Sequence, residues 1–252
     1  MNILGIDIGG SSIKGAIVDS ETGRHSSEWL ELETPQPAIP EAVAEAVARL
    51  AQKCHWTGVI GCGFPAVVQK GIAQTAANID ISWIGTNVQQ LLQDNTGCPC
   101  AVVNDADAAG LAEMRFGAGR GSDGTVLILT LGTGIGSALF SHGVLFPNLE
   151  LGALPLHGST AENYASAAVR TRHQLSWQDW AMRLNEFMPI VERLLSPELI
   201  LIGGGVSSNS QQFFPFLRTN ARLLPAQLQN YAGAVGAACY AALNCTAEGD
   251  FY

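Results

Sequence analysis

The sequence predicts an α/β fold with mixed sheets, on three observations. Strand-length apolar runs alternate with helix-length amphipathic stretches along the chain. The first two runs, 3–8 and 13–18, are separated only by Gly9-Gly10-Ser11-Ser12, a hairpin spacing that makes one pairing antiparallel. Glycine clusters then recur at strand ends, at 9–10, 132–136 and 203–205. That recurrence predicts two related α/β lobes folded around one phosphate-bearing ligand and joined by short crossings near residue 105.

The hairpin ends in a turn at 20–23, and Pro35-Gln36-Pro37 breaks the strand pattern. Pro40 opens a helix to 51, because a first helical position has no N–H partner to lose. A strand is expected at 58–64, a helix at 86–93, and a short buried strand at 101–104 that delivers Asp105 to a helix over 105–116. Gly117-Ala118-Gly119-Arg120-Gly121 stops that helix, and two strands follow across 132–136. The longest helix is expected at 177–195, with Ser176 as its cap and Asp179 three residues on. A strand at 199–202 leads into Gly203-Gly204-Gly205, and 232–243 is a helix of small residues that suits either lobe packing or a subunit contact.

Composition excludes several classes. Acids outnumber bases 22 to 13 in 252 residues, a net charge of −9, while hydrophobic residues make up 47% and charged ones only 14%. Disorder has the reverse signature, and a general nucleic-acid binder needs a basic excess. The uncharged run from 124 to 149 is interrupted by Gly132, Gly134 and Gly136, which suits strand-turn-strand rather than a membrane helix. No basic region precedes the first apolar run, so no secretory signal is expected, and Cys54, Cys62, Cys98, Cys100, Cys239 and Cys245 fit no zinc spacing. Reduced, mostly buried thiols in a cytoplasmic protein are expected.

The candidate chemistry sits at the glycine turns. Gly9, Gly10, Ser11, Ser12 and Lys14 suit phosphate through backbone N–H groups and hydroxyls, or form a plain turn. Gly132-Thr133-Gly134 is followed by strand, not helix, so it is a second phosphate-facing turn rather than a dinucleotide fingerprint. Asn104-Asp105 leaves two roles open for the aspartate, general base or helix cap. Asp107 is expected as a solvated first-turn residue; Glu150 and Glu162 suit sugar hydroxyls or the surface. The five histidines form no ligand spacing.

Together the segments GIDIGGSSIKGAIVD, GFPAVV, VVNDADAAGLAEMRFGAGRG, LTLGTGIGSALF and SPELILIGGGVS resemble the ROK sugar kinases, in particular their polyphosphate glucokinase branch. The resemblance runs over essentially the whole chain and implies two actin-like (ribonuclease H-like) lobes, about 1–105 and 106–252, with a cleft between them and the C-terminal helix packed back on the first. It implies phosphoryl transfer from polyphosphate or ATP to the 6-hydroxyl of glucose, with Asp105 as general base. An ATP-dependent kinase of glucose or mannose, and a sugar-binding relative with weakened catalysis, are the alternatives. Asn104, Glu150 and Glu162 would hold hydroxyls, with Gly63, Pro65 and Asn78 shaping the pocket. Asp7, Gly9, Gly10, Ser11, Ser12 and Lys14 would face donor phosphates and magnesium, Thr133 and Gly134 would form the second phosphate turn, and Gly204 and Gly205 the nucleoside end. A homodimer without nucleic-acid, membrane or zinc partners is implied. Two departures stand out: the family's ExGH reads Glu150-Leu151-Gly152-Ala153, without its histidine, and GFPG reads GFPA, with Ala66. An electropositive track for the donor draws on Lys14, Lys70, Arg115, Arg120, Arg170 and Arg172.

Overall fold

The structure, a computed structural model, describes residues 1–245, with the side chain of Cys245 outside the description. β1 (Asn2–Ile8) and β2 (Ser12–Asp19) form the expected hairpin, in a register that sets Asp7 opposite Lys14. β3 (Leu30–Glu33) extends it antiparallel, with Glu31 opposite Lys14. α1 (Pro40–Lys53) buries Val43, Val47 and Leu50 along one face. β4 (Ile60–Phe64) runs parallel to β1 and pairs Gly63 with Asp7. The short strands β5 (Val68–Gln69) and β6 (Ile72–Ala73) form a separate hairpin.

α2 (Val88–Thr96) lies slightly later than expected. The Asn87 side chain accepts from Gln90 N–H at its start, and Gly97 ends it at φ 69°, a left-handed turn that glycine adopts without a Cβ clash. β7 (Cys100–Asn104) completes a five-stranded sheet of order β3-β2-β1-β4-β7, and α3 (Asp105–Phe116) follows directly.

The second sheet repeats this plan. β8 (Thr125–Leu131) and β9 (Ile135–Ser141) form a glycine-tipped hairpin, and β10 (Val144–Phe146) adds antiparallel to β9. A two-strand ribbon, β11 (Pro155–Leu156) and β12 (Ser159–Thr160), precedes the short helices α4 (Ala161–Ala165) and α5 (Ala167–Arg172). α6 (Trp177–Leu195) begins where Ser176 Oγ accepts the Asp179 N–H at 3.0 Å, as expected for a cap. β13 (Leu199–Gly203) lies parallel to β8, α7 (Ser210–Phe213) follows, and β14 (Arg222–Pro225) closes the order β10-β9-β8-β13-β14.

The chain divides into two units, residues 1–112 with 231 onward, and residues 113–230. The division falls after Ala112, inside α3, rather than at 105. The reason is packing: Ala108 of α3 clusters with Val103 and with Ala237 of α8 (Ala232–Cys245). α8 packs on β1, β4 and β7 of the first sheet. Gly5 and Gly61 make this approach possible, since a Cβ on either would run into the carbonyls of Ala234 and Ala237. α8 is therefore part of its own unit's core, with Ala234, Ala237 and Ala238 buried. Each unit has its own apolar core, one around Ile6, Val47 and Phe64, the other around Leu129, Trp180 and Phe187. Among the described residues no helix is long and apolar enough to cross a membrane.

Candidate active site

In the first unit the parallel strands end together, and this gathers the acids. Asp7 at the end of β1 is register-paired with Gly63 on β4. A Cβ on Gly63 would lie 3.6 Å from Asp7 Oδ1 and 3.5 Å from the Asp105 Cα, so this glycine separates the two aspartates by one bare backbone position. Burial raises the Asp7 carboxyl to about 6, and the positive charge of Lys14 works against that rise. Lys14 Nζ also lies 3.6 Å from Glu31 Oε1.

The cap of α3 is Asn104, not Asp105. Asn104 Oδ1 accepts the N–H groups of Ala106 at 2.9 Å and Asp107 at 3.0 Å, and its Nδ2 donates to the Ala66 carbonyl at 3.1 Å. One Nδ2 hydrogen remains beyond that bond. Asp105 Oδ1 accepts the adjacent Ala106 N–H at 2.8 Å. Asp107, expected to be solvated, is fully buried. The helix is packed beside it against α8, where Gly236 meets the Ala108 carbonyl, so this first turn is not a solvated one. Ala66 is buried without a positive φ, so the alanine of GFPA fits the backbone there. Pro65 stands between Phe64 and this residue.

The hairpin tip is tied from outside. Gly9 N–H donates to Ser12 O at 2.9 Å, Thr34 Oγ1 donates to Gly9 O at 2.6 Å, and Gln36 Nε2 donates to Gly10 O at 3.3 Å. The Asn78 carbonyl lies beside Gly10, where a Cβ would come within 3.3 Å of it. Asn78 thus lines the tip with Gln36 and Asp80.

In the second unit, Gly132 N–H donates to Gly134 O at 3.1 Å, closing a tight turn with Thr133 exposed at its tip. Gly204 lies against this strand end: its φ is +80°, and a Cβ would sit 2.9 Å from Leu131 N. Both demands call for glycine. Gly205 opens the turn that follows, with no heavy atom near its Cβ position.

Glu150 and Glu162 are brought together, since burial and then the Glu162 charge raise the Glu150 carboxyl above its ordinary value. A residue that sequence reasoning missed holds the backbone on either side of Glu150. Buried Ser137 Oγ donates to Leu149 O at 2.6 Å and accepts Leu151 N–H at 3.0 Å. A serine on a strand carries no motif, so no signal marked it. Gly152 abuts the Ile135 carbonyl, which explains the glycine of ELGA, while Ala153 is exposed. His157 does not stand in for the missing histidine: its Nε2 bonds Glu186 Oε2 on α6, and Tyr164 OH donates to the other oxygen at 2.7 Å. Of the basic candidates, Lys14 and Lys70 belong to the first unit, and Arg115, Arg120, Arg170 and Arg172 to the second. Among the described residues no group of His, Cys, Asp and Glu is arranged to hold a metal by protein ligands alone.

Comparison with known proteins identifies the family. The ROK family model matches residues 3–148. The polyphosphate glucokinase of Mycobacterium tuberculosis (strain CDC 1551 / Oshkosh) is 44% identical over 235 residues, covering 93% of this chain and 89% of that protein. The crystal structure of the inorganic polyphosphate/ATP-glucomannokinase from Arthrobacter sp. strain KM superposes with a TM-score of 0.93 at 47% identity, covering 96% of this chain and 98% of that one. A ROK family glucokinase from Streptomyces griseus, solved with glucose and AMPPNP, matches at a TM-score of 0.83 and 25% identity over 96% of this chain and 100% of that one.

Proposed function

The chain belongs to the ROK family, and from that premise we propose that it transfers the terminal phosphoryl group of inorganic polyphosphate to the 6-hydroxyl of glucose. The observation that carries this reading is the placing of Asp7 and Asp105 on either side of Gly63. One carboxylate then serves the acceptor hydroxyl and the other the donor phosphates.

Asp105 takes the proton of the 6-hydroxyl as O6 bonds to the terminal phosphorus and the P–O bond to the chain breaks. The products are glucose 6-phosphate and a polyphosphate one unit shorter. Phosphoryl transfer asks mainly for positioning and charge stabilisation, which a base on a capped helix start supplies. Asn104 is best read as a positioning residue that fixes the first turn of α3 and offers its remaining Nδ2 hydrogen to a hydroxyl. Glu150 and Glu162 hold sugar hydroxyls, which relieves the repulsion between them. Gly9, Gly10, Ser11, Ser12 and Lys14 cradle the reacting phosphates, with Thr133 and Gly134 as the second turn.

A divalent cation fits Asp7. A carboxylate whose charge is disfavoured by burial gains from a hard cation, and magnesium is commonly held by one carboxylate plus substrate phosphates. When bound, it neutralises charge on the donor phosphates. Similarity to the glucomannokinase supports ATP as a second donor and mannose as a second acceptor; in this reading the nucleoside lies at Gly204 and Gly205. A cytoplasmic location keeps Cys54, Cys62, Cys98, Cys100 and Cys239 as reduced thiols. Exposed Val144 and Phe146 on edge strand β10 support a homodimer, which light scattering on the purified protein measures.

The test is a coupled assay of glucose 6-phosphate with polyphosphate and with ATP, each with magnesium, on glucose and on mannose. Product from polyphosphate and glucose supports the reading. Glucose binding without product from either donor overturns it in favour of a sugar sensor.

A further inference from the structure

One charged side chain of the second unit has no partner that accounts for it. The Arg170 guanidinium carbon lies 3.4 Å from the centre of the Trp177 ring, a tight cation–π stack. Its Nε is buried without a hydrogen-bond acceptor, and Arg170 forms no ion pair among the described residues. A buried N–H lacking an acceptor is unfavourable, and because Arg170 is only half-buried the rest of the guanidinium is left to meet an anion that offsets it.

The position of Arg170 suggests what completes it. Two residues earlier on α5, Ala168 N–H donates to Gly132 O at 3.0 Å, which ties the helix to the second phosphate turn. On the other side, Trp177 stacks on Phe213 at 5.7 Å and 16°, and Phe213 ends the helix that follows Gly203-Gly204-Gly205. Arg170 thus sits two residues from the one that binds the second turn, and its ring partner packs on the helix downstream of the third. The surrounding charge also permits a polyanion, because residues 113–230 hold eight acids and eight bases while the rest of the chain holds 14 and five.

We propose that Arg170, held flat on Trp177, binds a non-reacting phosphate of the polyphosphate chain. The planar fork of a guanidinium matches two oxygens of a phosphate, and the indole keeps it oriented before the ligand arrives. ATP ends in a nucleoside where a polyphosphate continues as an anion, so this contact favours the longer donor. The assignment rests on the polyphosphate reading above.

Arg170→Ala and Arg170→Gln are expected to raise the KM for polyphosphate at least about tenfold, with KM for ATP and glucose within about twofold. Arg170→Lys, which keeps the charge without the fork, falls between and serves if the shorter side chains impair folding. An unchanged polyphosphate KM overturns the site, and an equal rise with both donors overturns its selectivity for the chain. Independently of turnover, tripolyphosphate titrated into the protein is expected to quench tryptophan emission saturably. That signal should be lost in Trp177→Phe and weakened in Arg170→Gln; quenching unaffected by either change overturns the site. If the wild type binds tripolyphosphate through Arg170 yet makes no product from polyphosphate, the phosphate site stands and the catalytic reading fails.

Discussion

Each half of the chain feeds a glycine-tipped hairpin into a five-stranded sheet of the same order, yet the two tips differ in electrical character. In the first, Asp7 faces Lys14 across the strands and Glu31 faces Lys14 from the other side. In the second, Thr130 faces Gly136, and no charged residue occurs from 124 to 149. Topology therefore delivers a tight glycine turn twice, and charge distinguishes the two. The first tip carries a buried carboxyl and an ammonium. The second offers only backbone N–H groups and hydroxyls.

The largest expected break in this comparison is Asp105→Ala. Loss of the base should lower kcat by about 10²–10⁴-fold while KM for glucose moves little, measured by the coupled assay. A variant that keeps the wild-type rate would remove acid–base chemistry from the first unit.

Asp7→Asn should cost activity and add stability. A carboxyl at about 6 in the folded protein, against an ordinary 3.8, means that the fold disfavours the charged form. The wild type therefore loses stability as pH rises from about 3.8 to 6, and the penalty is complete above 6. Unfolding in urea at pH 8 without added metal should show the variant more stable by about 1–3 kcal/mol, with the difference gone near pH 3.5. A destabilised variant at pH 8 would mean that Lys14 outweighs burial.

A third test contrasts two glycines of the second unit. Gly204→Ala meets both a φ of +80° and the Leu131 backbone, whereas Gly132→Ala meets no heavy atom within 4 Å. Denaturant titration should show a loss of about 2 kcal/mol or more for the first and under about 1 kcal/mol for the second. Equal losses would mean that both turns depend on backbone strain.

The smallest expected effect is that of Ala153→His. The position is exposed beside Glu150, so an imidazole there should lower KM for glucose by about three- to tenfold. An unchanged KM would mean that Glu150 and Glu162 already complete the sugar contacts of this unit.

Several of these residues were legible before any coordinates. The Gly9 to Ser12 hairpin, the Pro40 helix start and the Ser176 cap follow from rules that act within a few residues of the chain. The short β3, α4 and α5 escaped notice because four to six residues carry too little periodicity to distinguish them from loop. Asp105 remained ambiguous because Asp and Asn both cap helices, and only the positions of the Ala106 and Asp107 amides settle which one does.

The sequence by itself determined the α/β class, the paired glycine turns, the identity of the acids and a net charge of −9. Local propensity and residue chemistry are written along the chain, so they need no partner to be read. The tertiary structure decided that Asp107 is buried, that α8 completes the first core, that His157 is bound to Glu186, and that Arg170 lies on Trp177. Each of those depends on which segments distant in sequence pack together, and packing is set by the whole chain at once.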